Sequence, residues 1–159
     1  YSIAASATAI YQWDPVEMLA TGTIGVAAAG DVLIGSLNGV FYTDASTSKP
    51  TWANHLAAAN TATDIVGFVS DDPYERFEIQ SAGTVAAADI GLCADISYAA
   101  GSSPDYISKT EISGTMATGT AQLKIIGVSK DPDNDELGAA NANVVVIINE
   151  HFLKQTAGI

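Results

Sequence analysis

The chain has 159 residues and a formal net charge of −12, from six Lys and Arg against eighteen Asp and Glu. Such a surface is repelled by phosphate backbones and by anionic bilayers, which argues against nucleic acid or a membrane as a direct partner and favours solubility or a basic protein partner. The length suits one domain with a real core, but alanine supplies much of the 48% hydrophobic content, so that core must rest on a limited set of Ile, Val, Leu and aromatic residues. Abundant Gly, Thr, Ser and Ala with few Lys suits extended structure joined by small-residue turns better than a helical bundle.

Residues 1–13 carry no charge and only scattered large side chains, among them Ile3, Ile10, Tyr11 and Trp13. They read either as an extended arm or as a first strand whose aromatics close one end of the core. An arm would make Tyr11 and Trp13 natural docking residues, because aromatics dominate interface hot spots. Residues 14–159 read as a single β domain.

Asp14-Pro15-Val16-Glu17 has the order of a helix start, with Asp at the cap and Pro at the first position, and predicts about one turn. Asn38-Gly39 lies between the apolar runs 32–37 and 40–43 and predicts a two-residue hairpin. Residues 44–50 follow as a polar loop, and 52–59 as a short helix.

Residues 65–69 predict a strand, broken by Ser70-Asp71-Asp72-Pro73. Residues 75–80 alternate, with Phe77 and Ile79 on one face and Arg76, Glu78 and Gln80 on the other, as a half-buried strand does. Residues 85–95 read as a turn or helical corner, 96–99 and 107–112 as short strands, and 100–104 as an exposed loop. Cys93 is the only cysteine, in an apolar setting that fits a buried small side chain. No basic segment followed by an apolar run opens the chain, so these residues are not expected to act as a secretory leader.

The chain is organised around residues 122–151. Two strand-like runs, 122–128 and 143–149, flank an acidic turn, and Val144-Val145-Val146-Ile147-Ile148 is an unbroken β-branched run. Such a run predicts a central strand buried on both faces. It is too short to cross a membrane as a helix. The tail after His151 is expected to fray. Residues 65–73 and 125–132 echo each other: a β-branched pair, Gly67 or Gly127, an apolar residue, then an acidic Pro turn. The echo predicts a bulge or close approach at each glycine, and two neighbouring strands.

Little here points to chemistry. Asp131, Asp133 and Asp135 have calcium-loop spacing, but Glu136 stands where glycine is needed and Ala142 where a bidentate Glu is needed. An exposed acidic turn is the expectation; Asp71 and Asp72 could converge on it as a weak divalent-cation site if the echoing segments are neighbours in space, but no metal or other cofactor is assigned. Glu150-His151 and His55 match no catalytic pattern, and neither a metalloprotease helix, a phosphate loop nor a dinucleotide fingerprint is present. No catalytic residue is assigned, and an enzyme is not expected.

Several motifs in order carry a resemblance. They are Gly39-Val40-Phe41 with Tyr42-Thr43-Asp44 and Lys49-Pro50-Thr51; Asp71-Asp72-Pro73 with Phe77-Glu78-Ile79-Gln80; Ala88-Asp89-Ile90-Gly91 with Ala94-Asp95-Ile96; Gln122-Leu123-Lys124-Ile125-Ile126-Gly127; Asp131-Pro132-Asp133-Asn134; and the run from Asn143 to His151. Together they resemble a family of small proteins encoded beside the major capsid gene in marine and environmental tailed bacteriophages, read as capsid decoration (cement) proteins. The resemblance covers residues 32–151 and leaves out 1–13. It implies a structural role on the outer surface of an icosahedral virion, with the major capsid protein as partner and self-association as a dimer or trimer as a further option.

The expectation is therefore a mainly β fold, an antiparallel β-barrel or β-sandwich with one or two short helices at its edges. Tyr11 and Trp13 are the candidate capsid-binding residues, with loops 44–50 and 100–104 beside them. Two other readings remain: a surface-displayed carbohydrate- or host-binding β module, which would use exposed aromatics over a β-face, and a small hydrolase, which would need a pocket of convergent titratable groups.

Overall fold

The structure is a computed structural model, and it describes residues 1–154. The fold is mainly β, with antiparallel sheets and no closed barrel, in a sandwich-like arrangement. The first sheet contains β1 (Pro15–Met18), β2 (Ile24–Val26), β3 (Leu33–Thr43), β4 (Pro50–Ala53) and β5 (Val66–Ser70). The second contains β6 (Phe77–Gln80), β7 (Cys93–Ala94), β10 (Leu123–Val128) and β11 (Asn143–Ile148), in the order β6-β11-β10-β7. A two-stranded pair, β8 (Ile96–Ser97) and β9 (Glu111–Ile112), lies beside them.

Each sheet has its own core. Ile3, Ile10, Ile24, Ile34, Leu37 and Val40 lie in the first, and Leu33, Ile112, Leu123, Ile125, Val144 and Val146 in the second. The pleat of β3 joins them: Leu33 faces the second core and its neighbour Ile34 the first, as period-two alternation requires. β3 is the longest strand, and it pairs with β1, β4 and β5.

β11 is an inner strand of its sheet, but only one of its faces is fully buried. Val144, Val146 and Ile148 point into the core, while Val145 and Ile147 are half-buried. The run of five β-branched residues reflects strand propensity as well as burial. Gly127 sits at a bulge in the β10–β11 pairing. Gly67 is a close approach, since a Cβ there would come within 3.0 Å of both Ile3 and Ile24 side chains. The two echoing strands, β5 and β10, belong to different sheets and are not neighbours.

Four local expectations are corrected. Asp14-Pro15 opens a strand and not a helix. The Asp14 carboxylate accepts the Tyr11 N–H at 2.8 Å across a turn, and Pro15 is the first residue of β1, a strand position that tolerates a missing donor. Asn38-Gly39 is not a hairpin. β3 runs through it with a bulge between Leu37 and Gly39, and Asn38 instead donates its side-chain amide to Ser70 Oγ at 3.0 Å. Residues 52–59 are not helical, because Trp52 pairs with Phe41 in the sheet. Of residues 107–112 only Glu111–Ile112 form a strand, since Ile107 is held by a separate parallel bridge to Gln12. Among the described residues, helix is limited to the 3-10 turns Ala87–Asp89 and Phe152–Lys154. The second follows His151 directly, and its Phe152 packs on the first core. The expectation of a frayed tail otherwise falls on residues 155–159, outside the described residues.

Gln122 ties the sheets together from a buried position. Its amide donates to Ala28 O at 2.7 Å and to Asp31 O at 2.8 Å, and its Oε1 accepts the Ile96 N–H at 3.0 Å. Every side-chain polar group of this residue is thus used, as burial demands.

Candidate functional site

The segment 1–13 is held against the domain along its length. Ser2 bridges Val66 of β5 and its carbonyl accepts the Ile24 N–H of β2, while Ile3 and Ile10 are core residues. Tyr11 stacks near-parallel with two rings of its own domain, Tyr106 at 6.5 Å and His55 at 6.2 Å between centroids. The His55 and Tyr106 rings stack at 3.9 Å. Burial lowers the His55 pKa from its ordinary value, which favours the uncharged imidazole. Trp13 behaves differently: it is 55% exposed, on a left-handed backbone with φ of 67°. Its N–H donates to Leu37 O, so the strained residue is anchored.

An exposed apolar patch lies elsewhere, on the outer face of β3, β4 and β5. Phe41 stands opposite both Trp52 and Val66, and Gly39 opposite Phe68. All four side chains are exposed, Trp52 to 57%. The indole of Trp52 lies over Gly39, where a Cβ would come within 2.7 Å of the ring, and it meets Phe68 at 4.9 Å with a tilt of 57°. A tilted aromatic pair at this distance is favourable in itself. Acidic residues flank the patch. Asp64 accepts the hydroxyl of Thr43 at 2.7 Å and its N–H at 3.0 Å, which hold its pKa below the ordinary value. Asp44 caps the loop 44–50 through Ser46 and Thr47, and Asp71 accepts the Tyr1 hydroxyl at 2.6 Å.

The chain is detectably similar to no protein-family model, no curated protein and no solved structure.

A cleft of about 890 Å³ opens between the two sheets. Leu33, Ile96, Leu123, Val146 and Ile148 form its floor, and Phe77 and Ile79 of β6 one wall. Residues 107–111 form the other wall, and Trp13 lines the cleft beside Pro15. Among the described residues, the ionisable groups lining it are Arg76, Glu78, Lys109 and Glu111, and no histidine or cysteine does so.

The remaining sequence candidates stay apart. Asp131 accepts the Asp133 N–H at 3.2 Å within its own turn, and among the described residues no three acidic, His or Cys side chains form a group fit to hold a metal. His151 is buried, with Nδ1 accepting the Leu153 N–H at 3.0 Å.

The aromatic face has a signature in the sequence that the reading of Asn38-Gly39 as a turn conceals. Once β3 continues, Phe41 alternates with inward Val40 and Tyr42, and Phe68 alternates with inward Gly67 and Val69. Both strands then show apolar residues on their two faces, where a surface strand ordinarily shows polar ones on one.

Proposed function

We propose that this protein decorates the outer surface of an icosahedral phage capsid, binding the shell through the aromatic face of Phe41, Trp52, Val66 and Phe68. The observation that carries the proposal is that face: exposed aromatics, fixed on three paired strands and flanked by carboxylates. Aromatic anchors on a rigid sheet lose little conformational entropy on docking and bury about 150–250 Å² each. A cluster of this kind supplies the centre of an interface, whose rim must come from the surrounding loops. The rim here is acidic, so the complementary surface is basic at its edge and apolar at its centre. The ordered motifs over residues 32–151 lend the same reading its viral context. Binding of purified wild-type and Trp52→Ala protein to undecorated shells tests it. Wild-type protein saturates the shells, and Trp52→Ala protein does so only at concentrations at least tenfold higher. Equal binding by the two would remove the aromatic face from the account.

The same face supports a second reading, a carbohydrate-binding module, because the exposed Trp52 ring offers a stacking platform to the apolar face of a sugar. A glycan array separates the two: binding lost in Trp52→Ala protein favours the module, and absent glycan binding with shell binding favours decoration.

A further inference from the structure

We infer that His151 is a proton-operated latch on the 3-10 turn Phe152–Lys154: the turn stays closed while the imidazole is neutral and opens when Nδ1 takes up a proton from solvent. His151 is fully buried, just after β11. It lies beside β3 at the seam of the two cores, where it bridges Leu33 in parallel and the Leu33 N–H donates to Glu150 O at 3.0 Å. Its Nδ1 accepts the Leu153 N–H at 3.0 Å. An N–H can donate only to a lone pair, so the ring is neutral and carries its proton on Nε2. Among the described residues, that buried Nε2 has no hydrogen-bond partner. The ring thus holds the turn by one bond, and the sense of that bond depends on the protonation of the ring.

A proton on Nδ1 sets one N–H against another at Leu153 and leaves a buried cation with two donors and no acceptor. The turn is the part that yields, because its other ties are few. Lys154 Nζ donates to Ile148 O at 3.3 Å and stands 4.7 Å from the centre of the Tyr74 ring, and Phe152 packs half-buried on the first core. Leu153 is already 55% exposed. Opening lets the imidazolium reach water and lifts Phe152 off the core. The charges around the ring set when this happens. Burial does most to keep it neutral and Lys154 adds to that, while Asp71, in the loop after β5, and the backbone of Ile34 and Asp71 favour the charged form. Leu33 and Ile34 of β3 bring no ionisable side chain, and among the described residues no carboxylate bonds the ring, Glu150 included. Asp71 is itself engaged by the Tyr1 hydroxyl at 2.6 Å. The balance favours the neutral ring, so the latch is shut at neutral pH and opens in acid. The inference does not depend on what the aromatic face binds.

The test follows the whole chain by NMR as the pH is lowered from neutral. Ring nitrogen shifts report the tautomer and protonation of His151, and amide exchange reports the turn and β11 separately. At neutral pH the ring should show the Nε2–H tautomer. As it takes up its proton, the exchange protection of Leu153 and Lys154 should fall by about tenfold or more, while residues 144–148 keep theirs. In His151→Asn protein, whose Oδ1 can accept the Leu153 N–H and does not titrate, the turn should stay protected over the same range. If that variant fails to fold, Asp71→Asn protein decides: loss of the nearby carboxylate should move ring titration and turn opening together to lower pH. Four results would each overturn the inference: an Nδ1–H tautomer at neutral pH, a protonated ring beside a turn that remains protected, loss of protection in the turn and β11 together, or a turn in either variant that opens at the same pH as in the wild type.

Discussion

Trp52 and Phe68 stand on strands that do not pair with each other, yet their rings meet at 4.9 Å across β3. Gly39 makes the contact possible by leaving the intervening strand without a side chain at that point. Trp52 and Phe68 thus form one aromatic cluster on the outer face of β3, β4 and β5.

Replacing Gly39 tests that arrangement. A Cβ at this position would approach Trp52 Cζ2 to 2.7 Å and Ala53 O to 2.9 Å, and the second contact is backbone that cannot swing away. Gly39→Ala should cost about 1–3 kcal/mol, the range for overpacking. It should also alter the environment of Trp52. Urea unfolding followed by tryptophan fluorescence measures both, and an unchanged midpoint with an unchanged spectrum would contradict the account.

Trp52→Ala should behave in the opposite way. The ring is exposed, so its loss removes an aromatic contact of about 0.5–1.5 kcal/mol and little buried area. The expected result is a small drop in the thermal midpoint with a large loss of shell binding. A variant that unfolds outright would show that the ring is structural and not a docking residue.

Gln122 is a buried polar residue whose side chain bonds three separate backbone groups. Gln122→Leu leaves the buried Ile96 N–H without its partner, at about 1–3 kcal/mol, while the carbonyls of Ala28 and Asp31 lie nearer to solvent. A loss of about 1–3 kcal/mol, read from chemical denaturation, is expected. A loss under 1 kcal/mol would mean that water replaces the side chain.

Stability should depend on pH through the histidines. Burial, with help from Lys154, holds the His151 pKa below 6.5, and burial alone does the same for His55. The unfolded chain takes up these protons near pH 6.5 and the folded chain only at lower pH. Their contribution is therefore complete above pH 6.5 and is lost progressively as the pH falls from there through the folded values. Asp14 acts in the opposite sense. Burial raises its pKa, so it weakens the fold as the pH climbs from 3.8 through that raised value. Urea midpoints from pH 7.5 to 5 should fall on the acid side, and His151→Phe protein should show a shallower fall. Identical slopes would exclude His151 as a contributor.

Elements whose periodicity is local were legible before the structure. Phe77 and Ile79 alternate with Glu78 and Gln80 within four residues, and the runs around Ile125 and Val146 announce β10 and β11. What failed was decided by distant residues. Asn38-Gly39 has the composition of a turn, but the ring of Trp52 occupies the space that makes glycine necessary there, and no local pattern reports that. Asp14-Pro15 has the order of a helix start, yet the carboxylate caps a turn behind it. The candidate site was legible only in part. The sequence left Trp13 and Tyr11 open as docking or core-closing residues; Trp13 is exposed, and Tyr11 is engaged by Tyr106 and His55, which lie far along the chain. The face of Phe41, Trp52 and Phe68 depends on the pairing of three strands and becomes visible only once β3 is known to be continuous.

The most direct measurement of the central claim is the copy number of this chain relative to the major shell protein in purified particles, by quantitative mass spectrometry. The account predicts a high and fixed ratio, comparable with that of the shell subunit, as lattice-wide decoration requires. A handful of copies per particle, or none, would contradict it.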